Sequence, residues 1–289
     1  MTVAVVTVLH DSAADLRRLL PSLARWLPEA RVIVVDSGSS DGGAASARAA
    51  GAEVIDLPSN PGFGAANNAG VAAVREDVTV LLNPDCELLD DGLAQLVARR
   101  APALLVPRLV GDDGRVQRTA HPLPGTVGSL LPALLHPPLL PRGVRERVEP
   151  WRVDRARTVG WAIAACVVAP TAVLRALGPF DPGIFLFYED LDLCLRARAV
   201  GVPTVTAPDV VVRHAGSHST RAAYGGEPYA LLAERRRAVV RAQRGPAAGA
   251  IDGLAQALTF ATRWAARRTG GRDAAREWAQ LCAQLAGRR

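Results

Sequence analysis

Three carboxylates in four positions, Glu189, Asp190 and Asp192, are the residues of this chain most suggestive of chemistry. An apolar and aromatic run at 183–188 precedes them, and leucines recur after them at helical spacing. The pattern places the acids on the first turn of a helix, where the helix dipole favours negative charge. Because desolvating carboxylates is costly without a counter-ion or a task, the cluster indicates a functional site. An acidic helix start without a function is the alternative.

A second candidate site follows the strand predicted over Val78–Leu82, where Asn83-Pro84-Asp85 places a carboxylate just past buried backbone. Such an oxygen ligand suits a hard divalent cation that also holds phosphate oxygens. His214 follows another apolar strand and is a candidate second metal ligand. Each has a simpler interpretation, because Asn-Pro-Asp forms ordinary turns and a lone histidine is more often structural.

Two further features point to nucleotide binding. Asp36 ends a predicted strand, where it can accept a hydrogen bond from a pyrimidine or a ribose, although capping a helix is an alternative role. The loop at 62–67 superficially resembles a dinucleotide fingerprint, but the third glycine is missing and the loop follows the third strand. We expect Gly62 to let the backbone pass close to a sugar nucleotide that Asn67 faces. Ordinary turn glycines are the other interpretation.

Alternating strands and helices must position these residues. Four β-branched, aliphatic runs alternate with helical patterns, and the predicted strands are Val3–Leu9, Arg31–Asp36, residues 53–57 and Val78–Leu82. This alternation predicts a parallel sheet with right-handed crossovers. Polar residues follow the strands at their carboxyl ends, the edge where open α/β sheets bind ligands.

The second half of the chain changes character. Gly111-Asp112-Asp113-Gly114 predicts a hairpin, and residues 121–141, which hold six prolines, are expected to be irregular. The remaining predicted elements are strands at 104–109, 116–119, 159–169, 202–206 and 210–213, and the acidic helix at 189–200.

Composition is that of a globular enzyme, because 49% of the 289 residues are hydrophobic and 21% are charged. The four cysteines have no metal-ligand or paired spacing. Together with the lack of a signal peptide, they indicate a reduced, cytoplasmic compartment. No segment is convincing as a transmembrane helix.

Positive charge is concentrated near the C-terminus, where residues 235–289 carry twelve arginines against three acids. A basic helical extension is therefore predicted at 226–289, following a body at 1–225. Its last part has an amphipathic stripe made of Ala274, Trp278, Leu281, Cys282 and Leu285. The extension is expected to dock on an anionic membrane surface, to pack on the body or to form a homodimer. It lacks a recognisable nucleic-acid-binding motif.

Five motifs in order across residues 3–220 closely resemble the family 2 glycosyltransferases, in particular their rhamnosyltransferase-like branch. They are VVDSGSSDG (34–42), NPGFGAANNAG (60–70), NPD (83–85), GPFD (178–181) and EDLDLCLR (189–196). The resemblance implies an α/β GT-A fold, a mostly parallel mixed sheet flanked by helices. It also implies a nucleoside-diphosphate sugar donor, a Mg²⁺ or Mn²⁺ ion, and inversion at the anomeric carbon.

By position, the resemblance assigns the nucleoside to Thr7 and Asp36, the metal to Asp85 and His214, and the role of general base to Asp190. Two departures from the family pattern bear on the donor site. The dipeptide at 10–11 is His-Asp where the family usually has Tyr-Asn, and the motif at 83–85 keeps a single acid.

The predicted function is inverting transfer of rhamnose or another hexose from a dTDP- or UDP-linked donor to a glycan or polyprenyl-linked acceptor. The expected setting is cell-envelope polysaccharide synthesis in the cytoplasm, at the inner face of the membrane. Donor contacts are expected from residues 1–110, including Gly62, Asn67 and Asn83. Acceptor contacts are expected from residues 111–225, and the candidates are Trp161, Tyr188, Glu189 and Asp192.

Two other functions use the same architecture. A sugar nucleotidyltransferase would need a glycine-rich, basic loop after the first strand, where this chain has His10-Asp11-Ser12-Ala13-Ala14. A non-catalytic sugar-binding protein would have lost the base and the metal carboxylate, whereas Asp190 and Asp85 are both present.

Overall fold

The computed structural model describes residues 2–99, 101–135, 140–216 and 225–286. Its strands are β1 (Val3–Leu9), β2 (Arg31–Asp36), β3 (Glu53–Asp56), β4 (Val78–Leu82), β5 (Cys86–Leu88), β6 (Leu104–Val110), β7 (Ala120–His121), β8 (Arg157–Val159), β9 (Trp161–Ala162), β10 (Cys166–Pro170) and β11 (Thr204–His214). Its α-helices are α1 (Ala13–Trp26), α2 (Gly43–Ala49), α3 (Phe63–Ala73), α4 (Gly92–Ala98), α5 (Leu131–Leu134), α6 (Arg142–Val148), α7 (Thr171–Leu177), α8 (Glu189–Ala199), α9 (Tyr229–Thr269) and α10 (Ala275–Ala286).

Nine of these strands form one mixed sheet in the order β3-β2-β1-β4-β10-β6-β11-β5, with β8 paired to β11. Strands β1 to β4 run parallel, as predicted. Their β-branched and aliphatic side chains are covered by an apolar cluster on each face of the sheet. The predicted bounds of β1, β2 and β4 are confirmed, and the strand predicted at 53–57 ends one residue earlier.

Two antiparallel joins bring the second half of the chain to the carboxyl ends of the first strands. Strand β10 pairs with β4, and the Asn83 N–H donates to the Ala165 carbonyl at 2.8 Å. Strand β11 pairs with β5, with His214 opposite Cys86. Metal-ligand candidates 129 positions apart in the sequence therefore meet at one edge of the sheet.

The single strand predicted at 159–169 is wrong, because β8, β9 and β10 replace it. Gly160 separates β8 from β9 and packs so closely on the preceding loop that a Cβ would lie 2.1 Å from the Leu123 nitrogen. This approach lets Trp161 pair with His121 in a separate two-stranded sheet, β7–β9.

The two strands predicted at 202–206 and 210–213 are one strand, β11, whose pairing with β6 shifts register between Ala207 and Val211. Pro208 lies in this bulge and accounts for the break in the apolar pattern. The predicted turn at 111–114 does form, with a 2.9 Å hydrogen bond from the Gly114 N–H to the Gly111 carbonyl. The second arm predicted at 116–119 contributes only one bridge in the described chain, through Val116.

The C-terminal extension predicted at 226–289 is helical, and most of it forms the long helix α9. It kinks at Gly245, where φ is 83°, directly before Pro246. Arg236 and Asp252 form an ion pair across this kink at 2.8 Å. Since 16 residues of straight helix would span about 24 Å, the two halves of α9 must fold back on each other.

The extension packs on the body. Gln243 donates to Asp192 Oδ1 at 2.7 Å, and Thr262 donates to the Ala133 carbonyl at 2.9 Å. The predicted boundary at 225–226 adjoins residues 217–224, which lie outside the described residues. In the described chain, no helix is long and apolar enough to span a bilayer.

The amphipathic stripe predicted for the end of the chain is only partly covered: Ala274 is buried, and Trp278 contacts Trp264 with ring centroids 5.3 Å apart. Trp278 and Leu285 are 51% and 48% exposed, whereas Glu277 and Gln284 are buried. The reason is specific pairing between helices, because Glu277 forms an ion pair with Arg267 of α9 at 2.8 Å. Polar partners on α9 therefore decide which face of α10 is covered.

Candidate functional site

A cleft of about 2040 Å³ lies between the carboxyl ends of the parallel strands and the C-terminal extension. Asp85 and Asp190, the predicted metal ligand and base, both line it. The predicted site residues that line the cleft are Gly62, Asn83, Asp85, Trp161, Tyr188, Glu189, Asp190 and His214.

Asp85 and His214 face each other at the edge of the sheet. The Asp85 Oδ1 and His214 Nε2 atoms are 3.3 Å apart. Gln117 fixes the imidazole ring from behind: its Nε2 donates to the His214 carbonyl at 2.7 Å, and its Oε1 lies 2.7 Å from His214 Nδ1. Because that amide oxygen can only accept, Nδ1 carries the hydrogen and Nε2 of a neutral imidazole presents a lone pair.

This arrangement fits a cation. A carboxylate oxygen and an imidazole lone pair repel each other at 3.3 Å unless a proton or a metal ion lies between them. Asp85 Oδ1 and the neighbouring Asn83 Oδ1 are both buried and have no hydrogen-bond donor in the described chain. Asp85 Oδ1 and His214 Nε2 thus meet at one point, and a carboxylate–imidazole pair of this kind suits Mg²⁺ or Mn²⁺.

The Asp85 carboxylate is held in its charged form. Burial raises its pKa, but His214 and the Gly216 N–H, which donates to Oδ2 at 3.0 Å, outweigh burial and leave the pKa below its ordinary value. Cys86 Sγ lies within 4.8 Å of both ligand atoms. Burial raises the pKa of this thiol well above its usual range, and its Sγ donates to the Ala165 carbonyl. Cys86 is therefore a poor ligand for a hard cation.

Glu189 and Asp190 open α8 at the other side of the cleft. Burial raises the pKa of Glu189, to which the charge of Asp190 adds, and burial also raises the pKa of Asp190. Asp190 is oriented by its own helix start, since the Leu191 N–H donates to Oδ1 at 2.7 Å. Glu189 Oε2 is buried without a donor in the described chain. Neighbouring carboxyl groups with raised pKa values can accept and hold a proton, so Glu189 and Asp190 are suited to proton transfer.

The turn before α8 aims these acids into the cleft. Phe187 and Tyr188 have φ values of 72° and 66°, which is strained for side-chain-bearing residues. Gly62 supports the turn, because a Cβ there would lie 2.3 Å from the Phe185 carbonyl oxygen. The close neighbour of Gly62 is therefore the Phe185 backbone.

The described chain places four predicted site residues outside the cleft lining. Thr7 in β1 and Asp36 at the end of β2 are buried, and each directly precedes a lining residue in the sequence, Val8 and Ser37. Asn67 is 2% exposed and donates to the Phe63 carbonyl of its own helix.

Asp192 is the fourth of these residues, and its carboxylate is only 3% exposed. It accepts hydrogen bonds from Arg196 and Gln243, both at 2.7 Å. Asp192 therefore braces the extension against α8 and does not face an acceptor.

An aromatic strip, defined as Trp151, His121, Trp161 and Tyr188, runs along the cleft away from Asp190. His121 and Trp161 stack with ring centroids 4.2 Å apart, and the contacts at either end of the strip are about 6 Å. Burial and the nearby positive charge of Arg236 lower the pKa of His121 to about 3, so its ring is neutral. Trp161 is only 5% exposed, because its ring contacts His121 and Arg236, so the strip forms a packed aromatic wall of the cleft.

Sequence reasoning missed three contributors to the site: Gln117, Arg236 and Asp252. Gln117 lies within the predicted hairpin arm at 116–119 and belongs to no recognisable motif. Arg236 lies under Trp161 and Tyr188, with its guanidinium carbon 5.9 and 5.8 Å from the two rings, and pairs with Asp252. The only sequence signal was the arginine-rich extension, whose folding over the cleft could not be foreseen.

Comparisons with known proteins agree with this geometry. Glycosyl transferase family 2 matches residues 4–122, and Glycosyltransferase like family 2 matches residues 144–241. The chain is 29% identical over 262 residues to N-acetylglucosaminyl-diphospho-decaprenol L-rhamnosyltransferase of Mycobacterium tuberculosis (strain H37Rv). That alignment covers 80% of this chain and 84% of the relative.

Two solved structures show the same fold. The mannosyltransferase PcManGT from Pyrobaculum calidifontis, in complex with GDP-Man and Mn²⁺, superposes with a TM-score of 0.57 at 16% identity, covering 99% of this chain and 81% of that one. S. aureus TarS 1-349 in complex with UDP-GlcNAc gives 0.54 at 15% identity, covering 90% and 71%. This chain spans 43% of the longer TarS structure. The predicted GT-A fold is confirmed.

The raised pKa values of the acid pair predict a pH-dependent effect of Glu189→Gln. A carboxyl whose pKa is raised by folding contributes stability below its ordinary pKa, and that contribution is lost as pH rises through the raised value. Removing the charge should therefore increase the free energy of unfolding by about 1–3 kcal/mol at pH 8, and by much less at pH 4.5.

Urea unfolding at both pH values measures this difference. Glu146→Gln is the control of opposite sign, because Arg155 and Arg142 lower the pKa of Glu146. A Glu189→Gln variant that is no more stable than the wild type at pH 8 would contradict the assignment.

Proposed function

Because the chain belongs to the family 2 glycosyltransferases, we propose that it transfers a hexose, with rhamnose the leading candidate, from a dTDP- or UDP-linked donor to a lipid-linked glycan. The proposed setting is cell-envelope polysaccharide synthesis, and the proposed stereochemistry is inversion. One observation carries this proposal: the opposed Asp85–His214 pair and the protonatable Asp190 line the same cleft.

The donor diphosphate is proposed to bind at the sheet edge. Asp85 Oδ1, His214 Nε2 and Asn83 Oδ1 would hold Mg²⁺ or Mn²⁺ there, and the ion would neutralise the charge of the leaving diphosphate. Gln117 keeps the His214 ring turned toward this point.

Thr7 and Asp36 are the proposed nucleoside residues. Both are buried and directly precede lining residues in the sequence, and Thr7 Oγ1 has no partner in the described chain. Asp36 Oδ1 accepts the Ser39 N–H at 3.1 Å and so shapes the turn that follows β2.

Asp190 is proposed as the general base. In a single displacement, an acceptor hydroxyl oxygen bonds to the anomeric carbon as the bond from that carbon to the diphosphate breaks, and the hydroxyl proton passes to an Asp190 oxygen. Burial favours this proton transfer because it raises the pKa of Asp190. Glu189, whose pKa is also raised, stays largely protonated beside it and avoids a second negative charge.

Asp190→Asn should reduce turnover by about 10²–10⁴-fold, because the amide cannot accept the proton. Donor binding should survive, since Asp190 is not one of the proposed metal ligands. Turnover and nucleotide binding by calorimetry measure the two effects. Glu189→Gln is the matched control and should retain most turnover; near-normal activity of Asp190→Asn would reject the assignment.

Donor binding should require both nucleotide and metal. A thermal-shift panel of UDP-, dTDP- and GDP-sugars, with and without Mn²⁺, is expected to show stabilisation only when both components are present. Asp85→Asn should abolish that synergy, because the amide cannot supply a charged ligand. Asp209→Asn, an exposed acid that pairs with Arg99, is the control. Metal-independent stabilisation equal to that with Mn²⁺ would contradict the proposed site.

Docking at an anionic membrane surface is proposed through an apolar face beside the arginine-rich extension. This face comprises Val127 (72% exposed), Leu134 (59%) and Leu135 (46%). It adjoins α9, where Thr262 contacts Ala133. Apolar insertion combined with basic charge is how peripheral proteins bind anionic bilayers.

The variant Val127→Glu/Leu134→Glu should lose most co-flotation with phosphatidylglycerol vesicles. Val200→Glu, which alters an equally exposed valine at the end of α8, should float like the wild type. Equal flotation of all three proteins, or no flotation of the wild type, would remove this proposal.

A further inference from the structure

Charge is divided along the cleft. Near the sheet, the lining holds the acids Asp85, Glu189 and Asp190. Along the C-terminal extension and the segment 118–152, the described lining is dominated by arginines. This arginine end comprises Arg118, Arg152, Arg263, Arg267, Arg272 and Arg276, against Glu149 and Glu277. A concave surface with one sign of charge concentrates counter-ions of the opposite sign.

The two acids at the arginine end each form an ion pair with an arginine of that end. Arg152 pairs with Glu149 at 3.4 Å, and Arg267 pairs with Glu277 at 2.8 Å. Neither Arg118 nor Arg263 forms an ion pair with an acid in the described chain. Burial and the positive charge of Arg118 lower the pKa of Arg263. The charges of Glu277 and Glu149 raise the pKa of Arg263 by less, and no acid forms an ion pair with both guanidinium groups in the described chain.

The aromatic strip connects this end to the base. The guanidinium carbon of Arg118 lies 5.4 Å from the Trp151 ring, the first member of the strip, and the last member, Tyr188, precedes Glu189 and Asp190. A ligand lying on the strip can therefore present a sugar hydroxyl to Asp190 and an anionic group to Arg118.

We propose that the arginine end binds the diphosphate of a lipid-linked acceptor, with Arg118 and Arg263 as its principal ligands. This rests on the proposed function, in which the donor diphosphate takes the cation-binding sheet edge. A second diphosphate then needs a metal-free site, and paired guanidinium groups match phosphate oxygens in charge and geometry. The acceptor sugar lies on the aromatic strip, and its lipid leaves past the apolar face defined above.

Binding in EDTA tests the proposal without turnover. The probe is N-acetylglucosaminyl diphosphate carrying a ten-carbon alkyl chain, and its partner probe is the same sugar and chain without the diphosphate. Arg118→Gln and Arg263→Gln should each weaken binding of the diphosphate probe by about 10- to 100-fold. Binding of the uncharged probe should be unchanged. Arg268→Gln, on the same helix but outside the lining, is the matched control.

Three results would overturn the proposal: unchanged affinity in both variants, an equal loss for both probes, or an equal loss of UDP and dTDP binding in the presence of Mn²⁺. The last result would assign the arginines to the donor. Steady-state kinetics separate this proposal from the proposed function. If no donor supports transfer by the wild type, the function fails, whereas an arginine-dependent loss of diphosphate binding still supports the site.

Discussion

The repulsion between Asp85 Oδ1 and His214 Nε2 is the constraint on which the rest of the site depends. Two hydrogen-bond acceptors are held 3.3 Å apart by the β5–β11 pairing on one side and by Gln117 on the other. Their lone pairs repel each other unless a proton or a metal ion lies between them. A metal ion there would fix where a diphosphate binds, and the proposed positions of the base and the acceptor follow from that point.

The first half of the fold could be predicted from sequence because it depends on local pattern. The runs Val3–Leu9 and Val78–Leu82 are buried on both faces, and their period and ends are visible in the residues themselves. The same reasoning failed at 159–169, where Gly160 packs on a distant loop. It also did not foresee that Glu277 is buried on α10, because this depends on the ion pair with Arg267 of α9. Long-range contacts of this kind leave no periodic signal.

Some residues of the candidate site could likewise be predicted from the sequence, and others could not. Asp85, Asp190 and His214 could be chosen from sequence because each ends a strand or begins a helix. Which of the acids near Asp190 would face the cleft could not be foreseen. Asp192 lies two positions along α8, and hydrogen bonds from Arg196 and Gln243 occupy its carboxylate. The arginine end could not be predicted from the sequence either, because it forms only when α9 folds back at Gly245.

Anomalous diffraction from a crystal grown with Mn²⁺ and a nucleoside diphosphate tests the central claim most directly. The Mn²⁺ peak is expected between Asp85 Oδ1 and His214 Nε2, at about 2.0–2.3 Å from each, with diphosphate oxygens completing its coordination and Asp190 facing the vacant sugar position. A peak elsewhere in the cleft, or a diphosphate held at Arg118 and Arg263 with the sheet edge empty, would contradict it.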